Sequence, residues 1–354
     1  MSQWILGPRH NCASPEDDNW GGRLGAMTAR KTIGLIVRVA VSVALLAFIL
    51  SLLDLAALRE ILPRAHLSWI AGTLLVHVVL RFIMALRWQI ILRSYGIHMP
   101  FGEISWVTFV SGSLGVIVPG GLGSDLFRGI HVVRKHGSLG KVTSSILIDR
   151  IIGIYSVIVI GTIAALVAVG LRVEPDFLIT FVVFQLVVIG AWTLGTWLSG
   201  HAHRLAFSSR RLQWMWSGLV QVARNMTDLG VLREIFAAIF ASSIAVNLGR
   251  CLVMYLLYRA FGVELNPLYF LIFVPLVFLA TQIPISISGL GITEGMLILL
   301  FEPLGVPREV SFAVGIVSYG VQLALSAGVL AIWLTAALVG YFAPETNARK
   351  TGPS

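Results

Sequence analysis

The chain has 354 residues, 57% hydrophobic and 12% charged, with a formal net charge of +9 from 26 Lys and Arg against 17 Asp and Glu. About a quarter of a soluble domain is charged, so this composition excludes a water-coated globule or a soluble catalytic domain and implies an all-α polytopic membrane protein. The basic excess sits in short loops and at helix ends, which suits the positive-inside rule and anionic headgroups rather than nucleic acid.

Residues 1–32 show neither helical nor strand periodicity and read as a disordered cytoplasmic tail. Met27 opens a more usual start than Met1. The apolar run 33–53 follows Arg30 and Lys31 and lacks a clear cleavage site, so it reads as a signal anchor. Further full spans are expected at 67–93, 141–169, 177–198, 235–261 and 311–340. Two other runs, 104–136 and 268–303, are interrupted near their middles. Each could be two spans or a re-entrant hairpin of two half-helices.

Loop charge favours the hairpins. The segment 199–233 carries Arg204, Arg210, Arg211, Arg224 and Arg233 against Asp228 and is expected to be cytoplasmic. The connections 170–176 and 302–310 read as external. These sides agree if 104–136 enters and leaves from the cytoplasm and 268–303 from outside. The expected architecture is six crossings, two opposed re-entrant hairpins and both termini cytoplasmic, with 341–354 as the C-terminal tail.

An internal repeat supports this plan. "RSYGI" at 93–97 resembles "RAFGV" at 259–263, and "GLG" at 121–123 recurs at 289–291. The halves are about 33–169 and 177–340, each with three crossings and one hairpin. An odd number of crossings inverts the second half, as in many transporters.

The interruptions carry the chemistry. In "PGGLGSD", Pro119 removes a backbone donor, and Gly120, Gly121 and Gly123 permit angles other residues avoid. Helix is expected to stop near Val118 and restart near Ser124 as N-cap. Pro284, Gly289 and Gly291 make the second break, with Thr293 as cap and Glu294 beside it. Freed peptide groups at membrane depth must be buried in protein or border a watery cavity, and a restarted helix aims positive dipole into it. Asp125 and Glu294 could simply complement these helix ends, but the cost of an ionised acid in lipid exceeds that gain.

Other ionisable residues lie deep in spans. Arg81, Arg150 and Arg250 are too far in to snorkel comfortably, and Asp125 and Asp149 are their natural counter-ions, in a polar path or a purely structural pair. Arg87 and Arg93 could snorkel or face inward, and Arg38 is expected to snorkel. Arg128 lies one turn after Asp125. No metal, cofactor or nucleophile–base pair is expected: Cys12 and Cys251 make no framework, and His201 and His203 lack further ligands. Nor is there a Walker A sequence.

Four stretches, "LRWQIILRSYG" at 86–96, "VPGGLGSDLFRG" at 118–129, "LIDRIIG" at 147–153 and "PISISGLGITEG" at 284–295, resemble the membrane domain of lysylphosphatidylglycerol synthases and its stand-alone flippase-like relatives. The resemblance covers roughly 33–340. It implies that the region moves an aminoacylated or related phospholipid across the cytoplasmic (inner) membrane, with Asp125, Arg128, Asp149, Arg150 and Glu294 along the path. The aminoacyl-synthesising domain of two-domain members has no counterpart in these residues, so a separately encoded lipid-modifying enzyme is an expected partner and the cargo stays open. Alternatives are a proton-coupled carrier of a small anion, and a non-transporting membrane partner of a lipid-modifying or glycosyl-transferring enzyme. Lipid transport without enzymatic activity is the expectation.

Overall fold

The computed structural model describes residues 39–117, 122–136, 139–170, 233–281, 286 and 288–338. The span expected at 177–198, residues 199–232 of the cationic loop, both tails, and Pro119, Gly120, Gly121 and Pro284 lie outside the described residues. The described residues are all-α: α1 (Val39–Ser51), α2 (Leu55–Ile61), α3 (Leu67–Ser94), α4 (Phe101–Ile117), α5 (Leu122–His136), α6 (Leu139–Gly170), α7 (Arg233–Ala260), α8 (Pro267–Thr281), α9 (Ile292–Phe301) and α10 (Arg308–Leu338).

Four of these, within α3, α6, α7 and α10, are long and apolar enough to cross a membrane. At 1.5 Å per residue, the 28 residues of α3 span about 42 Å, against a hydrocarbon core of about 30 Å. Of the span expected at 33–53, the described residues form α1. That helix stops at Ser51 and the following helix turns by 96°. Asp54 causes the turn: its Oδ1 accepts from the backbone amides of Ala56 and Ala57 and caps α2.

The interrupted runs fold as pairs of short helices. α4 and α5 have 17 and 15 residues, α8 and α9 have 15 and 10. None reaches the length of α3. Within each pair the helices lie antiparallel. Glu103, in the first turn of α4, receives Lys135 Nζ at 2.8 Å and His131 Nε2 at 3.3 Å from the end of α5. Phe270 and Phe273, early in α8, hold their rings 5.3 Å from that of Phe301, the last residue of α9.

The repeat is visible in backbone chemistry. α3 ends in a left-handed Gly96 (φ +75°), with Ile97 N–H donating to Leu92 O at 3.0 Å and Gly96 N–H to Arg93 O at 2.9 Å. α7 ends the same way 166 residues later, with Gly262 (φ +75°), Val263 N–H on Tyr258 O and Gly262 N–H on Arg259 O, both at 3.0 Å. Each is a Schellman cap, and each is one of the two five-residue matches. The packing repeats too: α4 lies on α10 as α8 lies on α6, and α3 on α4 as α7 on α8.

Helix α3 packs most extensively on α7, its own counterpart. His66 N–H donates to Ala260 O at 2.9 Å, Leu80 lies against Gly249, and Arg87 reaches Ser243 at 3.0 Å. Residue numbers rise along one helix as they fall along the other, so the pair is antiparallel. A two-fold relating the halves therefore stands perpendicular to these helices. The two cores are also counterparts: Leu92, Ile104 and Val107 fill the first half where Tyr258, Phe270 and Phe273 fill the second.

Candidate functional site: a buried arginine–aspartate chain

Asp125 and Arg128 share one face of α5 and form an ion pair, with Asp125 Oδ1 2.7 Å from Arg128 Nη2. From α6, Arg150 Nε donates to the other oxygen of Asp125. Asp149, next to Arg150, accepts from Arg128 Nη1 at 3.2 Å through Oδ2 and from Arg87 Nε of α3 at 2.7 Å through Oδ1. Arg87 continues to Ser243 Oγ on α7 at 3.0 Å. The result is a continuous chain, Arg150–Asp125–Arg128–Asp149–Arg87–Ser243, crossing four helices and both halves.

Burial rises along it. The Arg150 side chain is 38% exposed, whereas Asp149 and Arg87 are each 6% exposed. The Arg128 guanidinium lies 5.0 Å from the Trp88 ring centroid, and Trp88 donates its indole N–H to Ser145 Oγ at 3.3 Å. Arg128 Nε is buried without a hydrogen-bond partner, leaving one strong donor unused at the centre of the chain.

Two more arginines lie on the facing helices. Arg81 donates from Nη1 to Thr108 O of α4 at 3.3 Å. It passes over Gly112 so closely that a Cβ there would sit 1.2 Å from Nη1. Arg250 donates to Asn247 Oδ1 at 3.0 Å and lies 3.9 Å from the Phe278 ring centroid. Asn247 in turn donates to Ser156 Oγ at 2.7 Å. Arg250 is within electrostatic reach of Arg81, Arg87 and Asp149, but among the described residues no carboxylate pairs with Arg81 or Arg250. Five arginines thus gather against Asp125 and Asp149.

Glu294 stands apart. It is 1% exposed on α9, and its Oε2 accepts from Gly291 N–H at 2.6 Å. It lies against Gly315 of α10, where a Cβ would come within 2.8 Å of its Cγ. It makes no ion pair among the described residues. The second break meets the end of α4: Ser288 Oγ donates to Val116 O at 2.9 Å.

The structure departs from the sequence expectations in three places. α5 starts at Leu122, so Gly123 lies inside its first turn and Ser124 is not the cap. A Cβ on Gly115 would come 3.0 Å from Ser124 Cβ, so Ser124 packs across the hairpin tip. At the second break the N-cap is Gly291 (φ +83°), not Thr293, and Glu294 closes a box by reaching back from the third position. Gly289 (φ +79°) also uses the left-handed region. Asp149 serves Arg87 and Arg128 rather than Arg81 or Arg250, and of the two readings left open for Arg87 the structure has the buried one. Sequence reasoning missed Trp88, Ser243, Gly112 and Gly315. Ser243, Asn247 and Arg250, spaced four and three apart on an apolar helix, were the one available signal.

A search among curated proteins returns no match. The family model described as the lysylphosphatidylglycerol synthase transmembrane region matches residues 35–329, a stretch containing every ion pair found among the described residues. This multi-pass membrane protein belongs to the lysylphosphatidylglycerol synthase transmembrane-region family.

Proposed function

We propose that this protein is a lipid transporter of the flippase type, moving a lipid with an anionic headgroup across the cytoplasmic (inner) membrane without catalysing a reaction. The observation that carries the reading is the charge imbalance around the chain, Arg81, Arg87, Arg128, Arg150 and Arg250 against Asp125 and Asp149, with Arg87, Arg128 and Asp149 buried. Arginine stays protonated, and an uncompensated cation in a bilayer is costly. An anion that visits the site offsets that cost. A phosphate presents oxygens to a planar guanidinium fork. Arg128 Nε, Arg81 and Arg250 are the groups placed to receive it.

With α3 and α7 crossing the membrane, the axis relating the halves lies in its plane, the arrangement that permits alternating exposure of one central site. The full topology under this reading is six crossings, two of them at 33–53 and 177–198, with two opposed re-entrant hairpins and cytoplasmic termini. Glu294, buried without a cation, is suited to carry a coupling proton. A separately encoded lipid-modifying enzyme is the expected partner, and no cofactor is required.

The test uses the full chain in phosphatidylcholine–phosphatidylglycerol vesicles, with fluorescent phosphatidylglycerol read by quenching of the outer leaflet. Arg81→Gln with Arg250→Gln should slow flipping at least about tenfold, equivalent to about 1.4 kcal/mol of lost anion stabilisation. Wild-type rates equal to those of empty vesicles would end the transport reading.

A further inference from the structure

His77 lies one helical turn before Arg81 on α3. Leu80 packs against Gly249 of α7, so Arg81 and Arg250, the next residues along, stand at one level near the middle of both crossing helices. The His77 imidazole is within electrostatic reach of both guanidiniums. Three basic side chains therefore gather on the α3–α7 seam, where the two halves of the protein join.

One ring nitrogen of His77 is committed and the other is not. Nδ1 lies 2.9 Å from the Thr73 carbonyl oxygen. A carbonyl only accepts, so Nδ1 carries a proton and the ring is held by its own helix. Nε2 makes no hydrogen bond to any described residue. In the neutral ring Nε2 is an acceptor, and in the imidazolium it is a second donor. Arg81 and Arg250 offer an incoming group donors only, and the imidazolium matches them.

Among the described residues, the helices packed on α3 bring no carboxylate to His77. From α7 come Arg250, with Cys251 beside it in sequence, and Tyr255, whose ring packs on Phe270. Glu103 of α4 holds Lys135 and His131 at the base of its hairpin. Asp149 and Arg150 of α6 belong to the arginine–aspartate chain. Charge on α10 is confined to Arg308 and Glu309 in its first turn. The counter-charge for Arg81, Arg250 and a protonated His77 therefore falls to a bound anion.

We propose that His77 is a third ligand of a phosphodiester anion bound between Arg81 and Arg250, donating from Nε2 after that nitrogen takes a proton from water. The inference rests on the anion-binding reading of the charged site and adds how pH acts on it. A bound anion favours the imidazolium over the neutral ring. By linkage, affinity rises as pH falls, and each anion bound takes up at most one proton. Histidine is the side chain whose ordinary titration makes this effect visible near neutral pH.

The test is titration calorimetry of the full chain in maltoside detergent, which carries no phosphate. The probes are glycerophosphoglycerol and dihexanoyl phosphatidylglycerol, whose diester keeps one negative charge throughout. Wild-type affinity should fall at least about tenfold between about pH 5.5 and about pH 8. Measurement in two buffers of different ionisation heat should show net proton uptake on binding. His77→Asn places an amide N–H where Nδ1 was, so it keeps the Thr73 bond and its melting temperature, but should lose both the pH dependence and the uptake. Glu294→Gln should keep both. Equal behaviour of the two probes supports His77 as ligand of a diester from either source, and tighter binding of the lipid identifies a headgroup. Unchanged uptake in H77N would overturn the assignment, as would its loss in E294Q instead. Wild-type binding that is abolished by R81Q/R250Q yet independent of pH would remove His77 alone. Binding of neither probe at any pH would remove the anion reading itself, and this inference with it.

Discussion

The Ser288 hydroxyl donates to the Val116 carbonyl oxygen across 2.9 Å, tying the second chain break to the end of α4 just before the first. Two residues 172 apart in sequence therefore satisfy one another, one at the second break and one at a helix end. Val116 lies in the last turn of α4, where carbonyls have no intrahelical partner. Ser288 is the one non-glycine residue with positive φ among the described residues, at +51°.

That strain separates two substitutions. Ser288→Ala keeps the unfavourable backbone angle and loses the bond, so it should destabilise by about 1–2 kcal/mol. Ser288→Gly loses the bond but relieves the angle, and should stay within about 1 kcal/mol of wild type. Thermal melting in detergent, followed by tryptophan fluorescence, reads both. Equal melting of the alanine variant and wild type would mean that the tip contact contributes nothing.

Asp149 and Asp125 should differ in consequence despite their shared partner. Asp149→Asn strands Arg87 and Arg128 in a buried site, a loss of about 3–5 kcal/mol. Asp125→Asn leaves Arg128 its Asp149 partner and weakens one contact of an Arg150 that is 38% exposed, and should cost less than half as much. Expression level and melting temperature should rank wild type above D125N above D149N. The reverse order would contradict the burial gradient along the chain.

Gly112→Ala should impair transport more than stability. The added methyl occupies the place of Arg81 Nη1, the far end of a flexible side chain that can swing away. Melting should shift by less than about 1 kcal/mol, while phosphatidylglycerol flipping falls at least about tenfold. Loss of folding with unchanged specific activity would mean that Gly112 serves packing rather than Arg81 placement.

Glu294→Gln retains an oxygen for the Gly291 amide, so stability should change by less than about 1 kcal/mol. If Glu294 carries the coupling proton, the variant should still exchange lipid at equilibrium but lose its response to an imposed pH gradient. Vesicles preloaded at different internal pH make that comparison. A gradient response equal to wild type would exclude Glu294 from coupling.

How much was legible beforehand follows the range of the interactions concerned. The two breaks could be read from Pro119, Gly120 and Gly121 and from Gly289 and Gly291, because proline and glycine act on their own peptide units. The repeat was legible at "RSYGI" and "RAFGV" because a Schellman cap is encoded within five or six residues. Which residue capped each restarted helix was not legible. Ser124 and Thr293 are good caps in isolation, but hairpin packing started α5 earlier and set Gly291 in a left-handed turn.

The sequence by itself therefore determined the membrane class, the four long spans within α3, α6, α7 and α10, the two interruptions and the set of ionisable residues that had to be accommodated. Tertiary structure alone decided that Asp149 takes Arg87 and Arg128, that Glu294 stands without a cation among the described residues, and that Arg81 crosses Gly112. The physical reason is that lipid tails are as apolar as the side chains facing them, so hydrophobic pattern fixes that a helix is buried but not which neighbour it meets. That choice falls to close approach at glycine and to hydrogen bonds between arginine and aspartate on separate helices. Those partners become apparent only when the helices are assembled.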